Sequence, residues 1–143
     1  MGLDIGVYNE PKIWENVGSY SSVHYLRNLF IKSAIKWSEQ NNHDDVKELL
    51  KPWLHDKFSI CYEKIPQFCP SRLNELDLAG LYWFVNHSDC DGGWSVGQCN
   101  DIIFFYQLMD NNGYIEKANY DRLGKIMYVF EAACLLRKCV VCF

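Results

Sequence analysis

The segment His87-Ser88-Asp89-Cys90-Asp91-Gly92-Gly93-Trp94 is the densest patch of reactive side chains in this 143-residue chain. It sets two carboxylates, an imidazole and a thiol beside a Gly-Gly pair that lets the backbone turn. Three readings suit such a set. Counted from His87 as position one of a calcium loop, Asp89 stands at three, Asp91 at five, Gly92 at six, Trp94 at eight, Ser95 at nine and Gln98 at twelve. His at one and Gln at twelve replace the Asp and the bidentate Glu of that loop, so the register predicts poor calcium affinity. Alternatively His87, Asp89 and Asp91 supply one nitrogen and two oxygens to a divalent zinc, manganese or iron, with His24 or His55 brought in by the fold. In the third reading the loop only joins two helices. Its carboxylates then precede a helix N-terminus and His87 ends the helix before, each where the helix dipole favours its charge.

A second concentration lies at Ser19-Tyr20-Ser21-Ser22-Val23-His24-Tyr25-Leu26-Arg27. His24 and Arg27 are one helical turn apart, on a face beside the apolar stripe. With Tyr20 and Ser21 at the helix start, where backbone N–H groups are open, the four suit a phosphate or carboxylate. A serine cap on a solvated face explains the same residues without a ligand. There is no P-loop, nucleophile elbow or HExxH motif, so no catalytic residue is named; a Cys–His pair assembled by the fold stays open.

Composition narrows the class. The hydrophobic fraction is 49% and the aromatic fraction 15%, enough for one well-filled core and one domain over 1–143. The net charge is −4 with no basic stripe, which argues against a nucleic-acid partner. No apolar run approaches membrane-spanning length, and the start Met1-Gly2-Leu3-Asp4-Ile5 lacks the basic and apolar regions of a secretion signal, so a cytoplasmic location is expected. Seven cysteines, an odd number without framework spacing, then read as reduced thiols. The one CxxC, Cys139 to Cys142, falls on a terminal strand, where residues three apart point to opposite faces and serve a shared metal badly.

The elements that must position these residues follow from periodicity. Leu3 to Tyr8 reads as a strand. A helix from about Ser22 to Ser38 buries Val23, Leu26, Phe30, Ala34 and Trp37, with Ser19, Ser21 or Ser22 as cap. A short helix runs from Asp45 to about Lys51 before Pro52, and Trp53 to Pro70 has no legible pattern. One helix is expected from Leu73 to about His87, another from Val96 behind a Ser95–Gln98 capping box to Asn112-Gly113, and a last from about Lys117 to Arg137. Lys138 to Phe143 closes the chain as a strand. The expected fold is α+β: a mainly helical domain of about five helices, with a small sheet formed by the terminal strands.

The opening Met1-Gly2-Leu3-Asp4-Ile5, the Gly18-Ser19-Tyr20-Ser21…His24…Arg27 segment, the His87-Ser88-Asp89-Cys90-Asp91-Gly92 loop and the apolar last strand carry a resemblance. In this order they resemble a group of small uncharacterised proteins encoded by bacteriophages, prophages and bacteria. The resemblance implies a phage-type accessory protein in a bacterial cytoplasm and transfers no catalytic residue. The expected function is non-enzymatic capture of a small polar or phosphorylated ligand, such as a signalling nucleotide, or of a host protein, to counter bacterial defence. Tyr20, Ser21, His24 and Arg27 would hold the ligand. The alternative is a metal-dependent hydrolase or metal-binding protein centred on His87, Asp89 and Asp91, with a divalent metal as cofactor. The oligomeric state is left open, self-association included.

Overall fold

A computed structural model of the chain describes residues 2–86 and 92–142. These residues form six α-helices and a four-stranded antiparallel sheet, an α+β architecture. The strands are β1 (Gly2–Val7), β2 (Trp14–Ser19), β3 (Gly93–Trp94) and β4 (Val140–Cys142), in the order β2-β1-β4-β3. The two ends of the chain pair as expected, Ile5 with Cys142, Gly6 with Val141 and Val7 with Val140. Period-two alternation turns Leu3, Ile5, Val7, Val17 and Val140 into the core, and α1 (Tyr20–Gln40) and α6 (Tyr120–Leu136) pack on that side. The outer face carries Asp4, which accepts a 2.7 Å hydrogen bond from Asn16, and Trp14, half exposed.

Two strands were not expected. Strand β2 returns from β1 through a turn in which Asn9 takes φ +59°; the Glu10 amide donates to the Val7 carbonyl, and the Val7 amide donates to the Ile13 carbonyl. Strand β3 is only two residues long. Gly93 stands there because a Cβ would strike the carbonyl of Val140 on the neighbouring strand.

Helix α1 begins where Ser19, extended at φ −67° and ψ 164°, accepts from the Ser22 amide. Val23, Leu26, Phe30 and Ala34 are buried along it as the periodicity predicts, and Trp37 is half-buried. Helix α2 (Asp44–Leu50) ends in a 3-10 turn at Lys51–Trp53. Helix α5 (Val96–Asn111) starts with the predicted capping box: Ser95 Oγ accepts from the Gln98 amide, and Gln98 Oε1 accepts from the Ser95 amide. The last helix starts later than expected, after a 3-10 turn at Lys117–Asn119, and ends at Arg137 in the left-handed conformation.

One expectation needs correcting. The single helix from Leu73 is two, α3 (Ser71–Glu75) and α4 (Ala79–Val85). Asp77 takes φ +59°, and the Leu78 amide reaches back 2.8 Å to the Leu73 carbonyl, closing a Schellman end. Leu73 and Leu78, both fully buried, supply its apolar contact. The left-handed residue is Asp rather than Gly, so the break carries no glycine or proline to announce it. Behind it, α4 lies so close to α5 that a Cβ on Gly80 would overlap the backbone of Asp101 and Ile102.

Candidate functional site

At the start of α1 the predicted ligand residues divide by burial. Ser21 is exposed, Tyr20 and His24 are half-buried, and Arg27 is only 1% exposed. The guanidinium donates through Nε to the Phe84 carbonyl at 3.2 Å and through Nη1 to the Tyr62 hydroxyl. It also lies 5.7 Å from the centre of the Tyr62 ring, and the His24 ring meets that ring edge-on at 5.6 Å. Arg27 was expected beside the apolar stripe, and the structure puts it in the interior. The reason is register: Arg27 follows Val23 by four residues and precedes Ile31 by four, and both are buried. The Phe84 carbonyl belongs to the last turn of α4, where a cation is favoured. Among the described residues Arg27 therefore ties α1 to the end of α4. Tyr62, its partner, comes from a stretch whose sequence gave no pattern.

His87, Asp89 and Asp91, the predicted metal ligands, lie outside the described residues. On their far side Gly92 has φ +81° and its carbonyl accepts from the Cys142 amide, while the Trp94 indole N–H donates to the Trp83 carbonyl at 2.9 Å. Ser95 and Gln98, positions nine and twelve of the calcium register, spend their polar atoms on each other in the capping box. Among the described residues no group of three or more His, Cys, Asp or Glu is arranged to hold a metal. None of their helices is long and apolar enough to cross a membrane.

A different concentration of charge lies further along α1. A groove of about 710 Å³ runs between α1, the segment from Lys51 to Phe58, and the turn at Gly113–Glu116. Lys32 and Lys36, one turn apart on α1, line it together with Lys51 and Lys57; among the described residues its lining carboxylates are Glu39 and Glu116, and Glu48 lies 3.2 Å from Lys51. In a chain of net charge −4, four lining lysines, Lys51 among them paired with Glu48, against two lining glutamates, Glu39 among them paired with Lys47, leave the groove wall locally cationic. Glu39 is already tied to Lys47 at 2.9 Å, which is the main cause holding its carboxyl below the ordinary range; Lys51 and Lys36 add to it.

Aromatic side chains close one end of the groove. Phe58 is 64% exposed, and its ring lies 6.1 Å from that of Tyr25. The turn that carries Phe58 is held from both sides. Asp56 Oδ1 accepts from the amides of Phe58 (2.7 Å) and Ser59 (2.9 Å), and these bonds keep its carboxyl below the ordinary range. From α1, buried Asn28 donates to the carbonyls of Asp56 (3.0 Å) and Ser59 (2.8 Å), and Lys32 Nζ donates to the Lys57 carbonyl (2.8 Å). Leu54 and Ile60 pair across the base of the turn.

Sequence reasoning missed this groove because its lysines come from two separated segments and form no run. One signal was present: Tyr25, Asn28, Lys32 and Lys36 recur at three- and four-residue steps on α1. Compared with known proteins, the chain matches no family model, no curated protein and no solved structure.

Proposed function

We propose that the protein is a non-enzymatic binding protein that captures a small phosphorylated ligand in the lysine-lined groove beside α1. The observation that carries this reading is the gathering of Lys32, Lys36, Lys51 and Lys57 around one cavity of ligand size in an otherwise acidic chain. Each ammonium that meets a phosphate oxygen makes a charge-assisted hydrogen bond, the stronger kind available to a small ligand. The lysines are only lightly committed. Lys51 shares an exposed ion pair with Glu48, which contributes little, and Lys32 uses one of its three donors on the Lys57 carbonyl.

Capture of a ligand suits the phage-type accessory role in a bacterial cytoplasm that the resemblance implies. The start of α1 serves this reading as a support: Arg27 and Tyr62 hold α1 against α4 while the ligand lies further along the helix. Titration calorimetry with inorganic tripolyphosphate at low and high salt tests the proposal. Saturable binding that weakens with salt, and falls at least tenfold in Lys36→Glu, is expected. Absence of saturable binding by tripolyphosphate and by ATP alike would refute it.

A further inference from the structure

We infer that the ligand of this groove is a nucleoside oligophosphate, with its base against Phe58 and Tyr25 and its phosphates along Lys32, Lys36 and Lys51. The inference rests on the anion-capture reading and adds the ring. An inorganic anion has no use for an aromatic wall, yet the structure maintains one. Phe58 stays 64% exposed because its turn is tied by the Asp56 carboxylate and clasped from below by Asn28 and Lys32. A ring held out on so constrained a turn is organised before any ligand arrives, which lowers the cost of ordering it on binding.

Spacing sets how many phosphates fit. Lys36 follows Tyr25 by eleven residues, so its Cα stands about 16 Å further along the helix axis, while Lys32 reaches to the Lys57 carbonyl beside Phe58. A lone phosphate cannot touch Lys36 and bring anything to the rings. A ligand whose charged tail extends from a flat base can do both. Glu116, on the facing wall, has the chemistry to accept from sugar hydroxyls, as acidic residues do in dinucleotide sites.

The same features indicate which nucleotides bind. Every base has a π-face, and the Asn28 amide that could have read a base edge is spent on the turn's own carbonyls, so stacking here tolerates a change of base. A free nucleotide is favoured over a nucleic-acid strand, because the cavity holds one small molecule and the chain as a whole is acidic.

Titration calorimetry on the full chain, in EDTA and low salt, separates the cases with four probes: ATP, GTP, tripolyphosphate and a ten-residue oligothymidylate. ATP and GTP should bind within a few-fold of each other and more tightly than tripolyphosphate. Phe58→Ala should weaken ATP by about fivefold to a hundredfold and leave tripolyphosphate unchanged, while Phe58→Tyr retains the wild-type affinity. Phe58 is exposed, so an unchanged melting temperature certifies that the variant is folded. Tripolyphosphate binding as tightly as ATP, or equal affinity of wild type and Phe58→Ala for ATP, would overturn the nucleotide and leave anion capture standing. Oligothymidylate binding more tightly than ATP would also overturn it. Failure of every probe would remove both readings together.

Discussion

Replacing Asn28 by alanine should open the turn that carries Phe58. The side chain is 1% exposed, and its amide donates to the carbonyls of Asp56 and Ser59 at 3.0 and 2.8 Å. Each such bond contributes about 1 kcal/mol net, so the pair holds the turn on α1 by about 2 kcal/mol. At 1.4 kcal/mol per tenfold, the open fraction of the turn should rise about 30-fold. Trypsin reports this directly, because Lys57 lies within the turn and cleavage of a transiently open segment follows its population. Cleavage after Lys57 should therefore accelerate about 30-fold, with a melting temperature lower by about 5 °C. Asn28→Asp, which removes the donors and sets an acceptor against two carbonyls, should be at least as damaging. A melting temperature that falls while cleavage after Lys57 stays at the wild-type rate would refute the clasp and reduce Asn28 to an ordinary core residue.

Gly80→Ala should destabilise by about 1–3 kcal/mol, because its methyl would stand 2.8 Å from the Ile102 Cα, within the α4–α5 contact. Gly124→Ala, in open space on α6, should instead stabilise by up to about 1 kcal/mol; urea denaturation distinguishes the two, and equal midpoints would contradict the packing argument. The Asp56 carboxyl is held low by the Phe58 and Ser59 amides, so its contribution is present above the ordinary carboxylate range and lost as pH falls through the depressed value. The amide proton shifts of Phe58 and Ser59 should titrate with that low midpoint, and a midpoint at or above about 4 would contradict the assignment. Burial, with the neighbouring Cys134 adding to it, pushes the Cys99 thiol up to about 12, so iodoacetamide at pH 8 should spare Cys99 until urea unfolds the chain. Prompt labelling of Cys99 in the native protein, read by peptide mass spectrometry, would count against its burial.

Local rules carried much of the fold. The Ser95–Gln98 box, the pairing of the chain ends and the buried stripe Val23, Leu26, Phe30 and Ala34 were legible because each depends on neighbours within a turn or on strict alternation. The break at Asp77 was not, since a left-handed aspartate is stabilised by Leu73 and Leu78 burying together, and only packing decides that. Arg27 is instructive in the same way. Its spacing from Val23 pointed inward, yet charge argued for the surface; the interior accommodates it because Tyr62 and the Phe84 carbonyl arrive from 35 and 57 residues away.

By itself the sequence determined an α+β domain of amphipathic helices, closed by strands from both ends, because periodicity encodes which side of each element shuns water. It also held the reactive types, but not their company. Only the tertiary structure decided that Arg27 goes to the interior and that lysines from α1 and from the segment after α2 share a groove with Phe58. The physical reason is range. Hydrophobic periodicity is written along the chain, whereas charge and aromatic surface become a site only when chain segments distant in sequence are folded to within a few ångströms of each other.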